Sequence, residues 1–231
     1  MTPDIHQDAS PPTSQEEVKS LSHWIWMIAG AMIVFAVIIY PYLPDTIPTH
    51  WNINNEIDAW SPKFPGALFI PALGIVMAIL FPLLERIDPK RMNYADFRKT
   101  WAIMRIALMA FIAFMEVVTF TVAIKPEWNH LVGPSIIGGI GALFIVMGNY
   151  MGKLRQNWFI GLRTPWTLDD PEVWKKSQRM TGRLFVISGI AMLAMAIYGK
   201  IVPVIFFSII VLVAFVPMVY SYILYTRKRK Q

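Results

Sequence analysis

The chain has 231 residues, of which 55% are hydrophobic and only 16% charged, with a formal net charge of +6. That balance excludes an ordinary soluble domain and points to a membrane protein. The lack of any cysteine also excludes a disulfide framework, a thiolate nucleophile and a Cys-ligated metal.

Residues 1–23, rich in Ser, Pro, Gln and acids, predict a short disordered tail. Its acidic start and the apolar run of about 20 residues behind it do not fit a signal peptide. Six windows then follow that can cross a ~30 Å hydrocarbon core as helices: 24–43, 66–84, 101–124, 134–151, 184–199 and 202–225. No polar-faced helices remain to cover six such windows in water. The expected fold is therefore an all-α membrane protein, a bundle of six transmembrane helices. We divide it into the tail 1–23, a transmembrane hairpin 24–84 with a Pro-rich external loop, and a four-helix membrane region 85–231 with a cytoplasmic loop at 152–183.

Orientation follows from Lys and Arg, which are retained in the cytoplasm near short loops. With both termini inside, 17 of the 21 basic residues fall in cytoplasmic segments; Lys63, Lys125 and Lys200 lie outside, and Arg105 lies within a span. The positive charge is thus a topology signal. It is not a nucleic-acid footprint, and no direct nucleic-acid partner is expected.

The external loop, "LPDTIPTHWNINNEIDAWSPK", joins the first two spans. Pro44 and Pro48 disfavour helix and "NINN" offers turn chemistry, so the loop is expected to be ordered but irregular. His50, Glu56 and Asp58 have the chemistry of metal ligands. Wet loops carry such residues without a metal, and neither a metal nor another cofactor is expected. The loop after the second span, "ERIDPKRMNYADFRKT", shows nothing catalytic.

The third span holds two ionisable residues, Arg105 and Glu116. Eleven residues separate them, about 16 Å along nearly one helix face, too far for a direct pair. Arg105 is near the cytoplasmic end and can snorkel. Glu116 cannot, so it should face the bundle interior, either as a structural protonated carboxyl or as part of a proton or substrate path. The fourth span has Gly138, Gly139 and Gly141 and ends in "GNYMG", where Gly148 and Gly152 form a small-xxx-small pair suited to close helix packing. Pro217 predicts a kink in the sixth span.

Between the fourth and fifth spans runs "GKLRQNWFIGLRTPWTLDDPEVWKKSQRMTGR". Asp170 can cap a helix, Pro171 suits its first position and Glu172 favours the positive dipole end, so a short helix should run from Pro171 toward the fifth span. Its aromatics Trp158, Phe159, Trp166 and Trp174, with Lys153, Arg155, Lys175, Lys176 and Arg179 among its cations, suit an anchor against anionic lipid, which makes membrane lipid one expected partner. Gly161 and Pro165 fix backbone shape on either side of Arg163 and favour a bracing role for it. No nucleophile elbow, His-Glu-x-x-His helix, Walker or dinucleotide glycine pattern occurs, and we expect no enzyme.

The run "GNYMGKLRQNWFIGLRTPWTL" followed by "VW" resembles the signature of the SdpI family, bacterial membrane immunity proteins against a secreted sporulation-delaying toxin. The Pro-rich loop resembles the small uncharacterised domain that commonly precedes that signature. The matching positions are Asn149, Asn157, Gly161, Arg163, Thr164, Pro165, Trp166, Thr167 and Trp174 in the first motif, and Pro48, His50, Asp58 and Lys63 in the second. Two departures stand out: Ser177 and Gln178 where a histidine is common, and Asn54 and Asn55 where a glycine is usual.

The resemblance implies protection against a membrane-active peptide toxin and, in the named member, capture of a helix-turn-helix repressor at the membrane. Toxin sensing would use the loop from His50 and Trp51 to Trp60 with the groove near Glu116. Repressor capture would use the segment from Arg163 to Arg179. A proton-coupled exporter built on Arg105 and Glu116 is the alternative reading.

Overall fold

A computed structural model describes residues 13–198 and 203–230. Six long helices dominate: α1 Thr13–Ile39, α2 Lys63–Ile87, α3 Arg98–Ile124, α4 Val132–Met151, α6 Pro171–Ile197 and α7 Pro203–Lys228, with the five-residue α5, Pro165–Asp169, between α4 and α6. Each of the six is long and apolar enough to cross a membrane. The expected windows match them one for one. Residues 1–12 of the expected tail and Lys200 in the link between the last two spans lie outside the described residues.

Three local expectations change. The tail is shorter than 23 residues, because α1 already begins at Thr13; the stretch from Gln15 to Leu21 consists mostly of good helix formers. The helix from Pro171 is not a short lead-in but one unbroken 27-residue element that includes the fifth span. The loop between α1 and α2 is not irregular: Thr46–Trp51 (β1) and Ile57–Pro62 (β2) pair as a two-stranded antiparallel hairpin. Bulges between Pro48 and His50 and between His50 and Trp51 interrupt its register. Pro48 has no N–H to give a ladder, and a bulged two-stranded ribbon tolerates it.

The bundle has two halves. In the first, Gly74 of α2 lets Met32 of α1 and Met109 of α3 close in, and Phe35 stacks on Phe120 with ring centroids 5.9 Å apart. In the second, α4 and α6 make the most extensive helix contact in the molecule. Their backbones meet at two glycine pairs, Gly141 with Gly189 and Gly148 with Gly182. Gly148 and Gly152 both face α6, as the small-xxx-small spacing leads one to expect: Gly148 meets the Gly182 backbone and Gly152 meets Arg179. Without a hydrophobic drive between helices in lipid, such close backbone approach supplies much of the association. Helix α7 rests mainly on α6 and α5 and runs on through Pro217.

Candidate functional site

At one end of the bundle the chain from Gly152 to Asp170 folds over the helix ends, held by side chains that the sequence motif contains. Asn157 is fully buried. Its Oδ1 accepts from the N–H groups of Phe159 at 2.9 Å and Ile160 at 2.7 Å, and its Nδ2 donates to the carbonyls of Arg155 at 2.9 Å and Ile160 at 3.1 Å. One amide thereby fills all four of its hydrogen-bonding positions on a single turn. Gly161 follows with φ +96°, and a Cβ there would sit 2.7 Å from Gln178 Oε1. Glycine is required by conformation and by space.

Gln178, also fully buried, accepts from Leu162 N–H at 3.1 Å and donates to Leu162 C=O at 2.9 Å. Its amide serves both backbone groups without titrating, which is what glutamine contributes where a histidine is common. Thr164 and Thr167 form a reciprocal capping box that opens α5, with Pro165 at the first helical position. Trp166 Nε1 donates to Ser221 Oγ of α7 at 2.6 Å, and buried Trp174 Nε1 donates to Leu154 C=O at 2.8 Å.

The loop between α2 and α3, in which the sequence shows no chemistry, is the second half of this structure. Asp88, 2% exposed, accepts from Tyr94 Oη at 2.9 Å, from Lys90 N–H at 2.7 Å and from Trp158 N–H at 2.9 Å. Lys90 Nζ donates to Gln156 Oε1 and Leu168 C=O, and Asn93 Nδ2 donates to Gln156 C=O. The Asp88-Pro89 pair after an apolar run was the one available signal, as a turn marker.

Arg163 and Asn149 differ from the other motif residues. Arg163 is exposed and makes one bond, from Nη1 to Trp158 C=O at 2.6 Å. Asn149 is exposed and, among the described residues, bonds only the Ile145 carbonyl of its own helix. Beside Arg163, Trp158 is 49% exposed.

The expected cap of α6 is present. Asp170 accepts from Glu172 N–H at 2.8 Å and Val173 N–H at 3.0 Å, and Lys228 Nζ of α7 lies 2.8 Å from its other oxygen. The Lys228 ammonium, with the Val173 and Glu172 amides, holds the Asp170 carboxyl below the usual carboxylate range. A lowered pKa stabilises the fold above the ordinary value and loses that contribution as pH falls through the lowered one. Asp170→Ala should therefore cost about 1 kcal/mol at neutral pH. In thermal melts of the detergent-solubilised protein, the gap between wild type and variant should hold down to about pH 5 and close below roughly pH 4.

At the opposite end the hairpin caps the first half of the bundle. Ile47 is fully buried against Leu43, Ala67, Phe120 and Ala123. Lys63 N–H bonds Asp45 C=O at 2.8 Å and its ammonium lies 4.9 Å from the Tyr40 ring centre. At the tip, Asn55 adopts φ 63°. Asparagine tolerates this left-handed backbone, which accounts for its standing where a glycine is usual.

The same side chain does more than a glycine could. Asn55 Nδ2 donates to Asn129 C=O and Oδ1 accepts from Gly133 N–H, while Asn129 Nδ2 donates to Asn55 C=O at 2.8 Å. Trp51 Nε1 completes this latch, donating to Asn129 Oδ1 at 2.7 Å. His50 Nδ1 and Asp58 Oδ1 meet at 2.5 Å across the strands, whereas Glu56 takes its bond from Asn52. Among the described residues no three metal-ligating side chains converge.

Within the bundle, Glu116 is 1% exposed, as its interior placement required, and its Oε1 has no partner among the described residues. Arg105 is 7% exposed, with its guanidinium 5.1 Å from the Trp101 ring centre. The two are not paired: on the same face of α3, buried Met109 and Ile112 lie between them.

These features define a multi-pass membrane protein whose two ends are each closed by a hydrogen-bonded cap. Residues 153–221 match the SdpI/YfhL protein family and residues 27–75 match a domain of unknown function, DUF1648. The second of these matches lies ahead of the first along the chain. It is 27% identical over 197 residues to the immunity protein SdpI of Bacillus subtilis (strain 168), a match covering 83% of this chain and 89% of that protein. It is also 30% identical over 54 residues to the uncharacterized membrane protein YbgB of the same organism, covering 23% of this chain and 59% of that one. No solved structure matches it.

Proposed function

We propose that this protein is a non-enzymatic membrane immunity or sensor protein that protects its cell against a membrane-active peptide toxin. The observation that carries the reading is the similarity to an immunity protein over 83% of the chain. The count of basic residues supports placing both termini and the 152–170 cap in the cytoplasm, with the hairpin outside. A toxin would then meet the hairpin face carrying His50, Asp58 and Trp60. A cytoplasmic repressor would meet the exposed Trp158 and Arg163, the part of the motif that the internal network leaves uncommitted.

Two experiments test this. The cysteine-free chain allows clean single-cysteine labelling. Asn54→Cys in the hairpin should react with an impermeant maleimide on intact cells, and Lys153→Cys only after permeabilisation. The reverse pattern would invert the whole assignment. For function, expression in a toxin-sensitive strain should reduce killing by a related toxin, and undiminished killing with the protein present in the membrane would sink the proposal. The exporter reading draws on Glu116 Oε1, which has no partner among the described residues. Glu116→Gln discriminates: protection survives in a binding protein and is lost in a proton-coupled exporter.

A further inference from the structure

At the end of the first half-bundle away from the hairpin, a crevice of about 270 Å³ opens between α1, α2 and α3. Its floor and sides hold three ionisable side chains, Glu85, Arg98 and Arg105, beside Trp101. Arg98 is exposed at the first residue of α3. Arg105, seven residues and about 10 Å further along the helix, is 7% exposed inside a candidate span. A guanidinium buried there requires compensation. The Trp101 ring supplies part of it, yet the Arg105 Nε hydrogen has no acceptor among the described residues. The Glu85 carboxylate is engaged by Trp101 Nε1 at 3.2 Å. Among the described residues, two guanidinium groups against one carboxylate leave one positive charge in excess.

The rest of the lining is apolar: Ile25 of α1, and Ala78 and Pro82 of α2. Trp26 also lines it and is 51% exposed, with Trp24 at 49% nearby, a pair that suits the membrane–water interface. The volume lies below the ~300–1,000 Å³ of sites that engulf a whole small molecule. It suits a charged group joined to something that remains outside, in the bilayer.

We propose that this crevice binds the phosphate of an anionic membrane lipid, with Arg98 at the mouth and Arg105 below it as the ligands, and the lipid chains lying against Ile25 and Pro82. Arginine suits this task because its planar fork donates two parallel bonds to a phosphate. A free phosphate shares the headgroup chemistry but would leave the apolar walls unused.

The test uses the full chain purified in mild detergent, with retained and re-added lipid counted by native mass spectrometry. Phosphatidylglycerol should bind in preference to phosphatidylcholine, and millimolar inorganic phosphate should not displace it. The Arg98→Gln, Arg105→Gln double variant should weaken phosphatidylglycerol binding by about tenfold or more. Arg155→Gln, which removes an exposed cation outside the crevice at the same end, should leave it unchanged. If the double variant fails to accumulate, Arg98→Gln alone carries the test, because that side chain is exposed. Equal binding by wild type and crevice variants, or equal loss with Arg155→Gln, would overturn the proposal. Displacement by inorganic phosphate would reassign the site to a soluble anion.

Discussion

Gly182→Ala should strongly reduce both the thermal stability and the membrane accumulation of this protein. A Cβ at that position would lie 2.5 Å from the Gly148 carbonyl oxygen and 3.3 Å from Met151 Cβ. The first neighbour is backbone and cannot rotate away. From the other side, a Cβ at Gly148 would lie 2.6 Å from the Gly182 oxygen. One turn pair further along, the same relation recurs between Gly141 and Gly189, at 2.8 and 2.5 Å. Relief requires α4 and α6 to move apart along their whole contact, and overpacking of this kind costs about 1–3 kcal/mol per site. Gly182→Ala combined with Gly189→Ala should exceed either alone. Gly30 is the control, since a Cβ there meets nothing within 4 Å. Gly30→Ala should be neutral or gain about 0.5–1 kcal/mol of helix stability. Wild-type melting of Gly182→Ala in detergent would show that the seam does not hold the second half-bundle together.

The second large effect separates bracing from display at the capped end. Asp88→Ala removes the acceptor of three donors, Tyr94 Oη, Lys90 N–H and Trp158 N–H. Leaving a buried donor unsatisfied costs about 1–3 kcal/mol, so the loss should reach several kcal/mol and undo the junction between the two interhelical loops. Arg163→Ala removes one exposed bond and should cost about 1 kcal/mol or less. The expected result is that Asp88→Ala fails to accumulate while Arg163→Ala accumulates normally and loses capture of a cytoplasmic repressor. Failure of Arg163→Ala to reach the membrane would make the arginine a brace after all.

The spans were legible because twenty apolar residues in a row have few other fates. The cap of α6 was legible too, since Asp170, Pro171 and Glu172 act on the turn they begin. What could not be read were partners distant in the chain. Gly148 announced a close approach, but nothing local says that its neighbour is Gly182, thirty-four positions on. The hairpin escaped because Pro48 and two bulges break the alternation that marks a strand. Asp88 looked like one more loop acid, although three donors from two segments converge on it. At the motif itself, the side-chain types pointed to a built structure. The resemblance supplied a family, and only the fold shows that Asn157, Gln178, Thr164 and Thr167 face inward while Arg163 and Asn149 do not.

The latch at the hairpin tip gives the molecule a load path that its chain order conceals. By covalent connection the hairpin belongs to α1 and α2, within the region that matches the uncharacterised domain. By hydrogen bonding its tip is moored to Asn129 and Gly133, at the start of α4. Helix α4 is in turn wedged against α6, and α6 carries Gln178 and Trp174 under the far cap. A tug on the hairpin tip is thus borne by the α4–α6 pair as well as by the strands' own helices. Asn129 and α4 lie between the two matched regions and link them, so exchanging the first region for a homologue would require Asn129 to be exchanged along with Asn55.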